Sequence, residues 1–179
     1  MRITSGMLRG RTLRVPKDGM RPTKEKVREA VFSSLAARVS GARVLDLFAG
    51  AGGYSLEAWS RGASAVTAVE KVSNHWKILQ ENFQTLENES LGAWRALQAD
   101  VYDFLKRAEG AFDLIFADPP YDRADLPKLL DALGPALGPN GLLVFEMRSS
   151  DAYSVSNGWN LIKEKIYGET RILFLERTE

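Results

Sequence analysis

Val44-Leu45-Asp46-Leu47-Phe48-Ala49-Gly50-Ala51-Gly52-Gly53-Tyr54 is the stretch that decides the fold class. The first five residues are apolar except at Asp46, the pattern of a parallel strand covered on both faces. The glycines that follow allow a tight turn and a close backbone approach by a ligand. A helix is then predicted from about Gly53 to Arg61, and a second strand over Ala65–Val69, closed by Glu70. The order strand, glycine turn, helix, strand is the opening unit of a doubly wound α/β sheet. In such sheets ligands sit at the C-terminal ends of the strands.

Downstream the alternation continues. A helix carries Trp76, Leu79, Phe83 and Leu86 on one face, with Ser73 as its expected cap. A third strand is predicted over Ala93–Ala99 and a short helix over Val101–Arg107. Phe112–Ala117 is the clearest strand. A helix is expected over Leu126–Leu137, with Pro127 in its first turn, and a fifth strand over Gly141–Glu146. Ser149–Gly158 reads as loop, and residues 159–167 and 170–176 as an antiparallel pair through Gly168. Trp76, Phe83, Phe112 and Phe116 fall on regular periods and belong to the core.

Upstream, Arg2–Val15 reads as two short strands around a glycine turn, and Pro16–Pro22 as a loop. Thr23 is the expected N-cap of a helix from Lys24 to Val39, in which Val27, Val31 and Leu35 recur at four-residue spacing. The division that follows is a basic extension over residues 1–40 and a catalytic domain over 41–179.

The composition narrows the chemistry. The chain has 179 residues, 45% hydrophobic and 26% charged, with no cysteine and the single histidine His75. That excludes a disulfide framework, thiolate metal sites and a cysteine nucleophile, and argues against zinc sites and serine–histidine triads. No apolar run approaches the ~20 residues that span a bilayer, and the start lacks a signal-peptide core. A cytoplasmic location is expected. Net charge is +1, but residues 1–28 hold nine Lys/Arg against two acids, and residues 29–179 fifteen against twenty-one. A one-ended basic field is what docking on a polyanion requires, although a solvated basic arm would have the same composition.

Two stretches carry chemistry. The glycine loop lacks the glycine at the sixth position of G-x-G-x-x-G, where Ser55 stands, and contains no G-x-x-x-x-G-K-[ST]. Glu70, twenty residues beyond Gly50, can accept both hydroxyls of a ribose, or is a plain strand-end acid. Asp100 either accepts from an adenine amino group or caps the helix starting at Val101. Asp118-Pro119-Pro120-Tyr121 follows the fourth strand directly. Its two prolines fix the backbone and remove two donors, leaving carbonyl acceptors, and Asp118 is held extended. Tyr121 supplies a flat stacking surface. The segment suits a planar group bearing an NH₂, such as an exocyclic base amine, though it could simply be a rigid turn. No cluster suited to a metal is evident. A nicotinamide-dependent oxidoreductase would account only for the glycine loop and Glu70. A non-catalytic RNA-binding protein would account only for the arm.

The chain resembles the bacterial guanine-N2 methyltransferases of 16S rRNA, which depend on S-adenosylmethionine and have a Rossmann-like fold. The resemblance runs along essentially the whole chain. It rests on Arg2-Ile3-Thr4-Ser5-Gly6, Arg9-Gly10-Arg11, Arg21-Pro22-Thr23, Val27-Arg28-Glu29-Ala30-Val31-Phe32, Asp46–Gly52, Leu56-Glu57-Ala58, Ser60-Arg61-Gly62-Ala63, Glu70 and Asp118–Tyr121. It implies a seven-stranded mixed sheet. It also implies that Asp46, Phe48, Ala49, Gly50 and Gly52 surround the methionine part of the cofactor, with Glu70 on its ribose, Asp100 by its adenine and Asp118 beside it. Asp118, Pro119, Pro120 and Tyr121 would receive the target guanine. Arg2, Arg9, Arg11, Arg14, Arg21, Lys24 and Arg28 would contact RNA, with 16S rRNA or the small ribosomal subunit as partner and the enzyme a monomer. The tetrapeptide is shared with adenine-N6 methyltransferases, so the base rests on the N-terminal block. Gly53-Tyr54 departs from the smaller pair common in the family and alters packing beside the cofactor.

Overall fold

The computed structural model describes residues 1–17, 25–108, 112–120, 122 and 124–178. Seven strands form one sheet: β1 (Arg43–Leu47), β2 (Ala65–Glu70), β3 (Ala93–Gln98), β4 (Phe112–Ala117), β5 (Leu137–Arg148), β6 (Trp159–Tyr167) and β7 (Thr170–Arg177). Five α-helices accompany them among the described residues: α1 (Glu25–Leu35), α2 (Gly53–Ser60), α3 (Ser73–Leu86), α4 (Val101–Leu105) and α5 (Leu126–Leu133). The strand order is β3-β2-β1-β4-β5-β7-β6. Strands β3 to β5 run parallel, and β7 lies antiparallel between β5 and β6. The chain winds outward from β1 in one direction and from β4 in the other, so the switch point lies between these two strands.

Successive side chains alternate between the two faces. Val44, Leu114, Phe116 and Val144 face a core with α1, α2 and α3, whereas Leu45, Leu47, Ile115 and Phe145 face α4 and α5. The N-terminal segment packs onto the sheet. Ile3, Leu8 and Leu13 share the first core with Val27, Val31, Phe32 and Leu35 of α1 and with the sheet. Apolar residues at these positions need a partner surface, and the sheet face supplies it.

Several boundaries differ from expectation. The N-terminal stretch forms a single antiparallel bridge, Arg2↔Thr12, rather than two strands. Gly6, at φ +84°, brings its backbone so close to Ser60 that an added Cβ would lie 2.0 Å from the Ser60 carbonyl oxygen. The first helix ends at Leu35 and tightens into a 3₁₀ turn over Ala36–Arg38. Thr23 and Lys24 lie outside the described residues. Ser73 is the first residue of α3, and Val72 stands at its cap without a side-chain bond. Helix α5 stops at Leu133, since Gly134 and Pro135 follow and proline cannot continue it. Strand β5 then begins four residues earlier than expected, with a register shift between Phe112↔Leu137 and Leu114↔Leu142. Among the described residues no helix is long and apolar enough to cross a membrane.

Candidate active site

The turn after β1 is built from unusual backbone. Phe48 (φ 60°), Gly50 (φ 54°) and Gly52 (φ 90°) all adopt positive φ within five residues. For Phe48 this is an uncommon conformation, held by the Ala49 N–H bond to the Val69 carbonyl at 3.1 Å. At Gly52 a Cβ would come within 2.6 Å of Leu79 Cδ1 and 3.0 Å of Leu56 Cδ1. At this φ a side chain would be strained as well as crowding both leucines, so glycine is favoured.

Carboxylates tie this turn down. Glu70, at the end of β2, accepts from Gly50 N–H at 2.8 Å through Oε2 and from Val72 N–H at 2.7 Å through Oε1. It is buried, not a surface strand-end acid, and it staples the glycine loop to the start of α3. Asp46 is buried as well. Its Oδ2 accepts the Ser55 N–H at 2.9 Å and also the Ser55 hydroxyl. Burial pushes the Asp46 carboxyl up to about 7, against the Ser55 bonds and with the Asp118 and Glu70 charges adding to the rise. Asp100 caps α4: Oδ1 accepts from Tyr102 N–H at 2.9 Å and Asp103 N–H at 3.4 Å. Asp100 thus caps the helix starting at Val101. Burial acts to raise the Asp100 carboxyl. The Lys71 ammonium, 3.1 Å from Oδ2, and the backbone donors prevail and hold it below the usual value.

Asp118 leaves β4 one residue beyond the pairs Leu47↔Ala117 and Ala117↔Phe145. It therefore stands at the switch point opposite the glycine loop, with Pro119 buried and Pro120 exposed. Tyr121 lies outside the described residues. The site also contains a pair that local sequence pattern does not reveal. Tyr54, in the first turn of α2, stacks on Phe116 (ring centroids 4.8 Å apart, planes 11° apart) and donates its hydroxyl to Glu146 Oε2 at 2.9 Å. Burial, followed by the charges of Glu146, Asp118 and Asp46, raises the Tyr54 phenol well above its ordinary value. The one signal in the sequence is a lone acid closing an apolar strand, as Glu70 and Asp118 do.

Asp46, Glu70 and Asp118 thus converge on the mouth of a glycine turn open to a close backbone approach. This set of acceptors suits a ligand with a cationic centre and hydroxyl or amine hydrogens. Among the described residues no group of three or more His, Asp or Glu is arranged to hold a metal ion.

The basic residues divide. Arg2, Arg9, Arg11 and Arg14 are exposed. The Arg14 side chain meets Glu81, and its backbone is held by Asn82 on both sides, at 2.9 and 3.0 Å. Arg21 and Lys24 lie outside the described residues. Arg28 is a correction. It is wholly buried, pairs with Glu57 at 3.3 Å and donates to the Arg2 carbonyl. A guanidinium without solvent-facing surface cannot dock on phosphate. Its place in the motif reflects the attachment of the arm to α2.

The chain matches the family model described as "Conserved hypothetical protein 95" over residues 1–176. It is 34% identical over 185 residues to ribosomal RNA small subunit methyltransferase D of Escherichia coli (strain K12), covering 99% of this chain and 90% of that one. It is 35% identical over 173 residues to the protein of the same name from Haemophilus influenzae, covering 94% and 89%. The chain belongs to this family. Its fold follows suit: the solved structure of an Escherichia coli protein described as "Putative methyltransferase yhhF" superposes with a TM-score of 0.87 at 29% identity, covering 100% of this chain and 98% of that one. The doubly wound sheet expected from the alternation of strands and helices, and the seven-stranded mixed sheet that the resemblance implied, are the architecture present.

Proposed function

We propose that this protein transfers a methyl group from S-adenosylmethionine to the exocyclic N2 amine of a guanine in 16S rRNA, in the small ribosomal subunit or an assembly intermediate. The observation that carries the reading is the meeting of two strand ends at the switch point. The carboxylate-stapled glycine turn after β1 faces Asp118-Pro119-Pro120 after β4. Relatives named as ribosomal RNA small subunit methyltransferases support the substrate class.

The cofactor would lie on Phe48, Ala49, Gly50 and Gly52, with Asp46 toward its methionine part, Glu70 toward the ribose, Asp100 toward the adenine and Asp118 beside it. When bound, it supplies an electrophilic methyl on a sulfonium. The protein's own work is done on the acceptor. A ring-conjugated amine is a weak nucleophile, because its lone pair is delocalised. Asp118 and the adjacent carbonyls accept its hydrogens, turn the lone pair toward the methyl, and draw off the proton that the alkylated nitrogen gives up. Positioning and fixed charge account for most of such an effect. Pro119 and Pro120 keep the acceptors rigid, and Tyr121 stacks on the base. A stacked base reaches such a pocket only when flipped out or already unpaired. Arg2, Arg9, Arg11 and Arg14, with Arg21 and Lys24, would grip the RNA backbone. The enzyme would act as a cytoplasmic monomer.

The test is transfer of labelled methyl from S-adenosylmethionine to unmodified small ribosomal subunits, followed by digestion to nucleosides. N2-methylguanosine is the expected product, and the labelled fragment maps the site. N6-methyladenosine would keep the mechanism and overturn the base. No label in subunits or naked 16S rRNA, from protein that binds the cofactor, would sink the substrate assignment.

A further inference from the structure

The Asp-Pro-Pro segment accepts an amine of either purine and so does not choose the base. The choice requires a second group, and the geometry points to Glu146. We infer that the Glu146 carboxylate, set by the Tyr54 hydroxyl beside Asp118, reads the N1–H of the acceptor base and thereby selects guanine; this rests on the methyl-transfer reading above.

The placement follows from the register. Ala117 pairs with Phe145, and the next residues of the two parallel strands are Asp118 and Glu146. Phe116 and Val144, two residues back, both face the first core, so by alternation Asp118 and Glu146 point to that same side. Asp118 thus leaves β4 beside Glu146, which is buried within β5, two residues before its end. Tyr54 senses both charges and bonds to Glu146 directly, at 2.9 Å. Its ring cannot swing away, because it is stacked on Phe116 at 4.8 Å with Phe32 at 6.2 Å. A flexible three-torsion side chain is thereby held in one orientation by a rigid donor.

Carboxylates side by side, when ionised, are acceptors only. They match an edge with two neighbouring donors, and among the four bases guanine alone has one, in N1–H beside the N2 amine. Adenine and cytosine place a ring-nitrogen acceptor next to their amine, which would face a carboxylate lone pair to lone pair. Uracil has one N–H between two carbonyl oxygens and is repelled on both sides. Asp118 would take the amine, as catalysis requires, and Glu146 the ring N1–H. A site built to bond a polar hydrogen rejects an analogue lacking it far more strongly than a pocket rejects a change in size. Tyr54 acts as a positioning residue for this choice.

The experiment compares two acceptors that share the methylated amine. One is 16S rRNA with guanine at the nucleotide mapped by the labelled-methyl assay. The other is the same RNA, ligated from a synthetic segment, with 2-aminopurine there, which keeps the 2-amine and lacks N1–H. Wild-type enzyme is expected to prefer guanine by about 100-fold or more in kcat/KM. Glu146→Gln, whose amide can donate to an unprotonated N1, should bring the ratio to within a few-fold of unity. Tyr54→Phe, which keeps the ring on Phe116, should lower it about tenfold. Each variant is its own reference, so partial unfolding lowers both rates and leaves the ratio unchanged. A wild-type ratio retained by Glu146→Gln, or equal rates with wild-type enzyme, would overturn the inference and leave the methyl-transfer reading standing. No transfer to guanine by the wild type would overturn both.

Discussion

Arg28 and Glu57 form an ion pair, Nε to Oε2 at 3.3 Å, with both side chains shut off from solvent. Glu57 also accepts from Thr4 N–H at 2.9 Å, the Thr4 hydroxyl at 2.6 Å, Ser5 N–H at 3.1 Å and Arg61 at 2.8 Å. One side chain of α2, the helix that follows the glycine turn, thus anchors the N-terminal segment and α1. The N-terminal segment is thereby braced against the helix that follows the glycine turn.

Breaking this pair should unfold the arm before it affects chemistry. Loss of one partner of a buried, hydrogen-bonded pair costs about 3–5 kcal/mol, since the other charge is stranded. Glu57→Ala and Arg28→Ala should each lower stability by about that amount in chemical denaturation. A loss below about 1 kcal/mol would mean that the network is not a fastening.

The exposed arginines should behave in the opposite way. Replacing Arg9, Arg11 and Arg14 together should leave the denaturation midpoint nearly unchanged and weaken RNA binding. The slope of log affinity against log salt should flatten by about 0.7–0.9 for each phosphate that the arm no longer neutralises. An unchanged slope would place the RNA surface elsewhere.

Asp118 and Glu70 should separate turnover from binding. Asp118→Ala is expected to cut turnover by about 100-fold or more while the dissociation constant for S-adenosylmethionine stays within a few-fold of wild type. Glu70→Ala should raise that constant, because it releases the Gly50 N–H as well as removing the carboxylate. Equal loss of cofactor binding in both variants would contradict the division of roles. Calorimetric titration alongside a methyl-transfer assay measures the two quantities.

Asp46 predicts a pH dependence. Its carboxyl lies near 7 in the folded protein, against 3.8 ordinarily. The folded state therefore holds this proton more tightly than the unfolded chain. The group's contribution to stability is full at low pH and is lost as pH rises from about 3.8 through 7. A cationic ligand works the other way, since it favours the ionised form. Affinity for S-adenosylmethionine should rise between about pH 6 and 8, and Asp46→Asn should flatten that rise. A wild-type affinity independent of pH over this range would remove Asp46 from the cofactor site.

The architecture is legible because it depends on local pattern. Largely apolar short runs such as Val44–Phe48 and Phe112–Ala117, bounded by turn residues, read as strands covered on both faces, and glycine at position 52 suits a backbone at φ 90°, where a side chain is strained. Asp118 is marked by the prolines that follow it. Boundaries are less legible: Ser73 has the character of a cap, yet the Val72 N–H is bound by Glu70, two residues back. Residues whose role depends on partners far along the chain are not legible at all. Arg28 reads as one more cation in a basic arm, and only packing against α2 turns it into a buried brace. Tyr54 and Glu146 are 92 residues apart and meet because β5 lies beside β4 with Phe145 against Ala117. Periodicity and turn chemistry act over a few residues, so the sequence by itself determined the elements and the two loops. Which charges face solvent and which carboxylates share a site depends on long-range register and burial, and the tertiary structure alone decided that.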